Sequence, residues 1–207
     1  MEILRYELLS EDELLGRLKG TRLRGFGRPE VYRDASLEIL EQADTDLLVP
    51  AQRYVLAGGI RSITDLYHAF AARGIDIFAL RGGLLFWLNE EAPIPLLPPV
   101  VEESREPDGR TVLLINDGIH RVFAARKLGK RINVVLARNV PPEYPYYAYA
   151  LADGWHQVEE LTELQEGYQK KEYRNPDNYK ALFRDFNEIF EGVQKQRAQT
   201  NPANLRA

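Results

Sequence analysis

Cysteine is absent from this chain of 207 residues. Its absence excludes disulfides, thiolate metal sites and cysteine nucleophiles, and it is typical of a cytosolic protein. No apolar run approaches the roughly 20 residues that a membrane span needs. The acidic N-terminal sequence MEILRYELLSEDELL also lacks the basic and then apolar segments of a secretory signal. We therefore expect a cytoplasmic protein with no membrane partner.

The chain also has few histidines and no net positive charge. The chain has only 3 histidines, and no group of histidines and carboxylates has the spacing of metal ligands, so we expect no metal site built by the protein. The formal net charge is −4. An acidic chain is not one whose whole surface binds nucleic acid.

Positive charge is nevertheless concentrated in two segments that contain no Asp or Glu. Residues 118–142 carry six basic residues, and residues 16–29 carry five. Such segments indicate local anion binding, or else exposed faces that acids from elsewhere in the chain balance. For the N-terminal segment we favour the second interpretation. The basic residues are Arg121, Arg126, Lys127, Lys130, Arg131 and Arg138 in one segment, and Arg17, Lys19, Arg22, Arg24 and Arg28 in the other.

The first half of the chain shows helix caps and short apolar runs. Ser10 and the acids that follow it resemble a capping box, so a helix should run to about Leu18. Ser62 and Gly74 would cap and end a second helix with an apolar stripe, in which His68 faces solvent. Our remaining predictions here are a strand near Leu47–Val49, a hairpin or buried helix in Ile75–Asn89, and an irregular, proline-rich Ala92–Pro99.

The most informative segment is TVLLINDGIHRVFAARKLGKRINVVL, which begins at Thr111. It predicts a strand, a turn at Asp117-Gly118, a helix over Ile119–Leu128 and a strand from Ile132. The preceding strand, Val100–Glu103, would pair with the first of these. A glycine turn that opens a helix leaves the first N–H groups without intrahelical partners, at the positive end of the helix dipole. This geometry binds phosphate, and His120 and Arg121 lie in the first helical turn.

The C-terminal third follows a proline- and tyrosine-rich boundary. The tyrosines at positions 144, 146, 147 and 149 could stack on a nucleic-acid base, but we favour their packing this linker onto the domain. A helix should begin at Pro176. Its apolar seam would bury its aromatic side chains on the chain's own domain, which we favour, or, as a homodimer, on a second copy. The seam residues are Tyr179, Phe183, Phe186, Phe190 and Val193.

In order and spacing, the segments Pro98-Pro99-Val100, INDGIHRVFAARKLG and INVVL resemble the ParB/sulfiredoxin superfamily. Leu48–Arg53, LVPAQR, resembles the first strand of ParB and the Pro, Gln and Arg that follow it. The resemblance implies a small α/β fold with a mixed sheet, to which this chain adds a C-terminal helical appendage. We divide the chain into an N-terminal extension (1–30), the ParB/sulfiredoxin-like domain (31–140) and the appendage (141–207).

The resemblance also implies a ligand, because this turn holds nucleotide phosphates in the superfamily. The implied contacts are Asp117, Gly118, Ile119, His120, Arg121 and Arg53. The implied ligand is ATP or another nucleoside triphosphate, with or without magnesium. Asp117 is the candidate for a catalytic residue, and the acids of the Leu37–Asp46 region are open as alternative bases. Ile119 replaces the sulfiredoxin cysteine, so sulfinic-acid reduction is excluded.

We therefore predict a nucleotide-binding protein, with ATP-dependent transfer of phosphate to a small molecule as the candidate activity. The ParB glutamate and first arginine are also replaced, by Ile119 and His120, which argues against clamp chemistry gated by CTP. The alternative is a non-catalytic module that binds DNA or protein. In that case the basic face of the helix after Gly118 would contact the phosphate backbone.

Overall fold

The computed structural model describes residues 1–89 and 91–190. It has α/β architecture, as predicted. The helices are α1 (Glu11–Lys19), α2 (Ala57–Ala71) and α3 (Ile119–Lys127). The strands are β1 (Arg5–Leu8), β2 (Arg22–Leu23), β3 (Ser36–Ala43), β4 (Leu48–Val49), β5 (Tyr54–Leu56), β6 (Leu84–Trp87), β7 (Ile94–Leu96), β8 (Val100–Arg105), β9 (Thr111–Asp117), β10 (Ile132–Arg138), β11 (Glu159–Leu161) and β12 (Arg184–Asp185).

The central sheet is mixed, with five strands in the order β3-β10-β8-β9-β4. β8 and β9 form the predicted antiparallel pair, while β10 runs parallel to β8 and β4 runs parallel to β9. Strands β1, β6 and β7 make a separate antiparallel sheet. The mixed sheet and the helix between β9 and β10 confirm the predicted fold class.

Strand β10 shows how the central sheet is buried on both faces. Ile132, Val134 and Leu136 belong to one apolar core, which α2 and α3 cover. Val135 and Ala137 point to the opposite face, as the two-residue period of a strand requires. They join a second core, to which α1 and the C-terminal segment contribute. A strand buried on both faces is expected to be apolar throughout.

In the first half of the chain, the structure confirms the capped helix and the short strand. Ser10 accepts a hydrogen bond from Glu13 N at 3.2 Å at the start of α1. β4 lies within the predicted Leu47–Val49. His68 is exposed on the outer face of α2, as predicted.

The second predicted helix is present as α2, but its predicted start and two other predictions for this half are wrong. α2 begins at Ala57, five residues before Ser62, whose hydroxyl donates to Gly58 O at 3.0 Å. Ile75–Asn89 forms neither its own hairpin nor a helix, because β6 pairs with the distant strand β1 and with β7, which begins after Asn89. The proline-rich Ala92–Pro99 contains β7 and is therefore not irregular throughout. β7 is an edge strand, where Pro95 is tolerated although it has no N–H to donate.

The C-terminal segment differs most from its prediction. No α-helix lies between Pro176 and Phe190. The segment forms 3-10 turns at Tyr179–Leu182 and Phe186–Glu188, with β12 between them. β12 pairs with β2, and Arg184 within it is buried. The extended backbone at Arg184 therefore replaces the helix that the spacing of the aromatics predicted.

The same segment packs on its own domain, the outcome that we favoured over dimerisation. Leu182, Ile189 and Phe190 are buried in the second core. Val193, the last residue of the predicted seam, lies outside the described residues. A homodimer through this region and the division into three parts stay predictions. Within residues 1–89 and 91–190, no helix is long and apolar enough to cross a bilayer.

Candidate functional site

The turn between β9 and α3 has the geometry expected of an anion site. Gly118 precedes the first helical residue in the left-handed region, with φ of 89° and ψ of 24°. Gly118, at the N-cap position, has no side chain with which to cap this end of α3. The carbonyl of Gly118 accepts hydrogen bonds from Arg121 N at 2.9 Å and Val122 N at 3.1 Å, which begin the helix. The amides of Ile119 and His120 precede the first of these bonds and have no intrahelical acceptor.

This turn lines a large cavity with a volume of about 1180 Å³. The six consecutive residues from Asn116 to Arg121 all border it. One wall is apolar and includes Leu56, Ile63 and Phe86 from β5, α2 and β6. The cavity therefore joins a polar, helix-opening turn to an apolar surface. Among the predicted site residues, it brings together Asp117, Gly118, Ile119, His120 and Arg121.

Arg121 folds back over the turn from which it starts. Its Nη2 donates to Asp117 Oδ2 at 2.6 Å, and its Nη1 donates to the carbonyl oxygen of Leu97. The side chain is only 13% exposed. A guanidinium has five N–H groups, so these two contacts leave donors that can face the cavity. Arg121 thus holds the loop before β8 onto the turn and remains available to a ligand.

His120 joins the starts of two helices. Its Nε2 accepts a hydrogen bond from Leu56 N at 3.0 Å, at the N-terminus of α2. Its ring also lies over Gly59, where a Cβ atom would come within 2.7 Å of Cδ2. Because Nε2 is an acceptor, the ring is neutral and carries its proton on Nδ1. Burial lowers the pKa of His120, and the neighbouring Arg121 charge lowers it further.

The lowered pKa of His120 predicts a loss of stability in acid. The unfolded chain takes up a proton near pH 6.5, whereas the folded chain resists it. The stability from neutral His120 is therefore complete above that pH and is lost as the pH falls towards the folded pKa. We expect thermal melts between pH 7.5 and 5.5 to show a smaller decrease for His120→Gln than for the wild-type protein. His68→Gln, which alters an exposed histidine, is the control, and an equal decrease in all three proteins would contradict the assignment.

Arg53, the remaining predicted contact, lies apart from the others. It borders a smaller cavity of about 310 Å³ together with Gln157, Glu159 and Tyr168. Its Nη2 is 4.0 Å from Glu172 Oε2, and its backbone pairs with Lys170 O. The structure therefore does not bring Arg53 to the turn at Gly118.

Ten of the eleven basic residues in the two acid-free segments contact a carboxylate in the folded chain. All six in residues 118–142 contact a carboxylate: Arg121–Asp117, Arg126–Asp46, Lys127–Glu160, Lys130–Asp76, Arg131–Asp44 and Arg138–Glu38. Four of the five in residues 16–29 do so too: Arg17–Glu13, Arg22–Glu30, Arg24–Asp185 and Arg28–Glu188. Lys19 donates to the carbonyls of Arg33 and Ala35. Acids from other elements thus balance these segments, the interpretation that we favoured for residues 16–29.

The described part of the chain does not build a metal site from its own side chains. Among the described residues, no group of three or more His, Asp or Glu side chains could hold a metal ion. Asp117, the carboxylate at the turn, is paired with Arg121. Any magnesium at this turn would therefore arrive with ligand phosphates and be held mainly by their oxygens and by water.

Sequence reasoning missed the second polar wall of the cavity, which comes from the C-terminal third. Lys171 and Tyr147 border the cavity, and Lys171 Nζ donates to Tyr147 Oη at 2.6 Å. The four tyrosines do pack the linker onto the domain, with Tyr146 only 1% exposed. The alternation of basic and aromatic residues in YQKKEY was the one local signal for Lys171.

Comparisons with known proteins agree with the architecture. The family model described as the ParB CE domain matches residues 13–159, which is more than half of the chain. The match contains β9, Gly118 and α3, together with most of the cavity wall. A comparison with curated proteins finds no match.

Proposed function

Because the chain belongs to the ParB CE domain family, we propose that it binds a nucleotide through its phosphates at the N-terminus of α3. The observation that carries this proposal is the unbroken run from Asn116 to Arg121 along the wall of the 1180 Å³ cavity. Gly118 allows a phosphate to approach the backbone closely. The amides of Ile119 and His120 then donate to phosphate oxygens at the positive end of the helix dipole.

The rest of the cavity suits the other parts of a nucleotide. Its apolar wall offers Ile63, Phe86 and Leu96 to a base or sugar, while the polar groups lie at the turn. Ligand pockets commonly combine an apolar lining with a few placed polar groups. Its volume lies slightly above the roughly 300–1,000 Å³ typical of pockets for small ligands.

Transfer of phosphate is a more specific proposal than nucleotide binding, and it depends on Asp117 as the base. Transfer to a hydroxyl acceptor needs a base and charge neutralisation around the moving phosphate. Arg121 supplies the positive charge, and Asp117 is the carboxylate at the turn. The 2.6 Å contact between them keeps this carboxylate beside the cavity. Nucleotide binding does not require transfer, so the absence of transfer would leave the binding proposal intact.

DNA binding is the second candidate, favoured by membership of a ParB-related family. The six basic residues in 118–142 form ion pairs, which weakens the case for DNA binding. Each contact with a DNA phosphate would have to displace a carboxylate such as Asp46 or Glu160. Exposed ion pairs are weak, and binding to DNA is strongest at low salt. DNA phosphates could therefore displace these carboxylates only at low salt. We therefore rank nucleotide binding first.

A thermal-shift experiment tests the proposal on the wild-type protein. ATP and CTP, each with and without magnesium, should raise the melting temperature, since a ligand at 100 times its Kd adds about 2.7 kcal/mol of stability. Adenosine, which lacks phosphate, should have a much smaller effect. No stabilisation by either nucleotide at millimolar concentration, with or without magnesium, would refute the proposal.

A further inference from the structure

We propose that Lys171, together with Tyr147, forms the second anion-binding wall of this cavity and contacts the phosphates held at the turn of α3. The inference rests on the proposed function, which it deepens by assigning a second binding group from a part of the chain far from Gly118. The ligand class is an anion with two or more linked phosphates. One end would lie on the amides that open α3, and the other on Lys171.

A chain of two hydrogen bonds connects Lys171 to the turn before α3. Its Nζ donates to Tyr146 Oη at 2.9 Å, and Tyr146 Oη donates to Asn116 O at 3.4 Å. Asn116 is two residues before Gly118. One tyrosine hydroxyl therefore separates the ammonium group from the backbone of the turn, and both groups border the same cavity.

The hydrogen bonds of Lys171 leave donors for a ligand. An ammonium has three N–H groups, and two of them are used by Tyr146 and Tyr147. Tyr147 accepts from Lys171 and keeps its own hydroxyl proton. Lys171 thus keeps one charged N–H, and its side chain and that of Tyr147 both border the cavity.

Lys171 differs from the six basic residues of 118–142 in the partners of its positive charge. Within residues 1–89 and 91–190, no carboxylate forms a salt bridge with Lys171, whereas the six basic residues of 118–142 all have one. The half-buried ammonium lies instead over the rings of Tyr146 and Tyr147, at 5.2 and 4.6 Å from their centres. A partly desolvated cation with only neutral partners gains most from an anionic ligand.

The backbone of Lys171 is held firmly in place. Its strand-like segment bridges Gln52 on one side, and Tyr173 bridges Ala148 on the other. Tyr149 N also donates to Glu172 O at 2.9 Å. These bonds fix the backbone of Lys171, and the bonds from Nζ to Tyr146 and Tyr147 hold the ammonium group before any ligand arrives, which favours strong binding.

The test compares Lys171→Met with Lys170→Met, a neighbour that borders the same cavity but is exposed. Calorimetric titrations use ATP, pyrophosphate and adenosine. We expect Lys171→Met to weaken ATP and pyrophosphate binding by about tenfold to a hundredfold. Lys170→Met should change either affinity by less than about threefold, and Lys171→Arg should recover part of the loss. Adenosine binding should not change, and far-UV circular dichroism with thermal melts verifies folding.

Each result decides one or both proposals. Wild-type ATP affinity in Lys171→Met, or an equal loss in Lys170→Met, would overturn the role of Lys171 and leave nucleotide binding intact. If the wild-type protein binds pyrophosphate in a Lys171-dependent way but binds no nucleotide, the second wall stands and the nucleotide proposal fails. If it binds neither, both proposals fail.

Discussion

Replacing Arg184 with methionine is expected to lower the free energy of unfolding by about 3–5 kcal/mol. Its side chain is 0% exposed, and that of its partner Glu102 is 3% exposed. Arg184 Nε and Nη2 donate to the two Glu102 carboxylate oxygens at 2.9 and 3.1 Å. Methionine would leave this carboxylate buried without its counter-charge. Tyr32 and Asn116, which also donate to Glu102, would offset only part of that penalty.

Urea unfolding provides the measurement for Arg184, and an exposed ion pair provides the control. The Arg28 and Glu188 side chains are 2.5 Å apart and both are 47% exposed, so Arg28→Met should lower the free energy of unfolding far less than Arg184→Met. Adding Glu102→Gln to Arg184→Met should recover stability, because the isolated charge is removed. Equal losses of unfolding free energy for Arg184→Met and Arg28→Met would show that the ion pair between Arg184 and Glu102 does not hold the C-terminal segment on the domain.

Gly118→Ala is expected both to destabilise the protein and to abolish tight nucleotide binding. Alanine in the left-handed region costs about 1–2 kcal/mol. Its Cβ would also lie 2.6 Å from Arg121 Nη2. Asp117 and the Leu97 carbonyl hold that guanidinium, so it cannot move aside without breaking those bonds. We expect nucleotide affinity to fall by more than about tenfold.

Gly109→Ala is the matched control for the substitution at Gly118. Gly109 has φ of 86° in the β8–β9 turn, and a Cβ there would meet nothing within 4 Å. The backbone strain is therefore similar, without any change at the cavity. Calorimetric titration with ATP should give wild-type affinity for Gly109→Ala, while its stability falls. An equal loss of ATP affinity in both variants would contradict a local role for Gly118.

The sequence was sufficient to predict the part of the fold made by neighbouring residues. The helix α3 follows a glycine in the left-handed region, and β8 pairs with β9, as was predicted for these two strands. These elements depend on caps, turns and apolar periods, which local sequence records. The candidate turn at Gly118 was predicted for the same reason.

Features that depend on distant partners could not be predicted in this way. Glu102 and Arg184 are separated by 82 residues, and no local pattern indicates that both are buried together. Their contact favours an extended β12 where the aromatic spacing indicated a helix. His120 shows the same effect, because its acceptor role depends on Leu56 N, 64 residues away. Tertiary contacts of this kind override local propensity.

The most direct test of nucleotide binding at α3 is a titration of ¹⁵N-labelled protein with ATP, followed by amide chemical shifts. The account predicts that the largest changes fall on the amides of Gly118, Ile119, His120 and Arg121, with smaller changes around Lys171. Amides on the outer face of α3 near Arg126 should move little. Changes confined to that outer face, or none at millimolar ATP, would contradict the account.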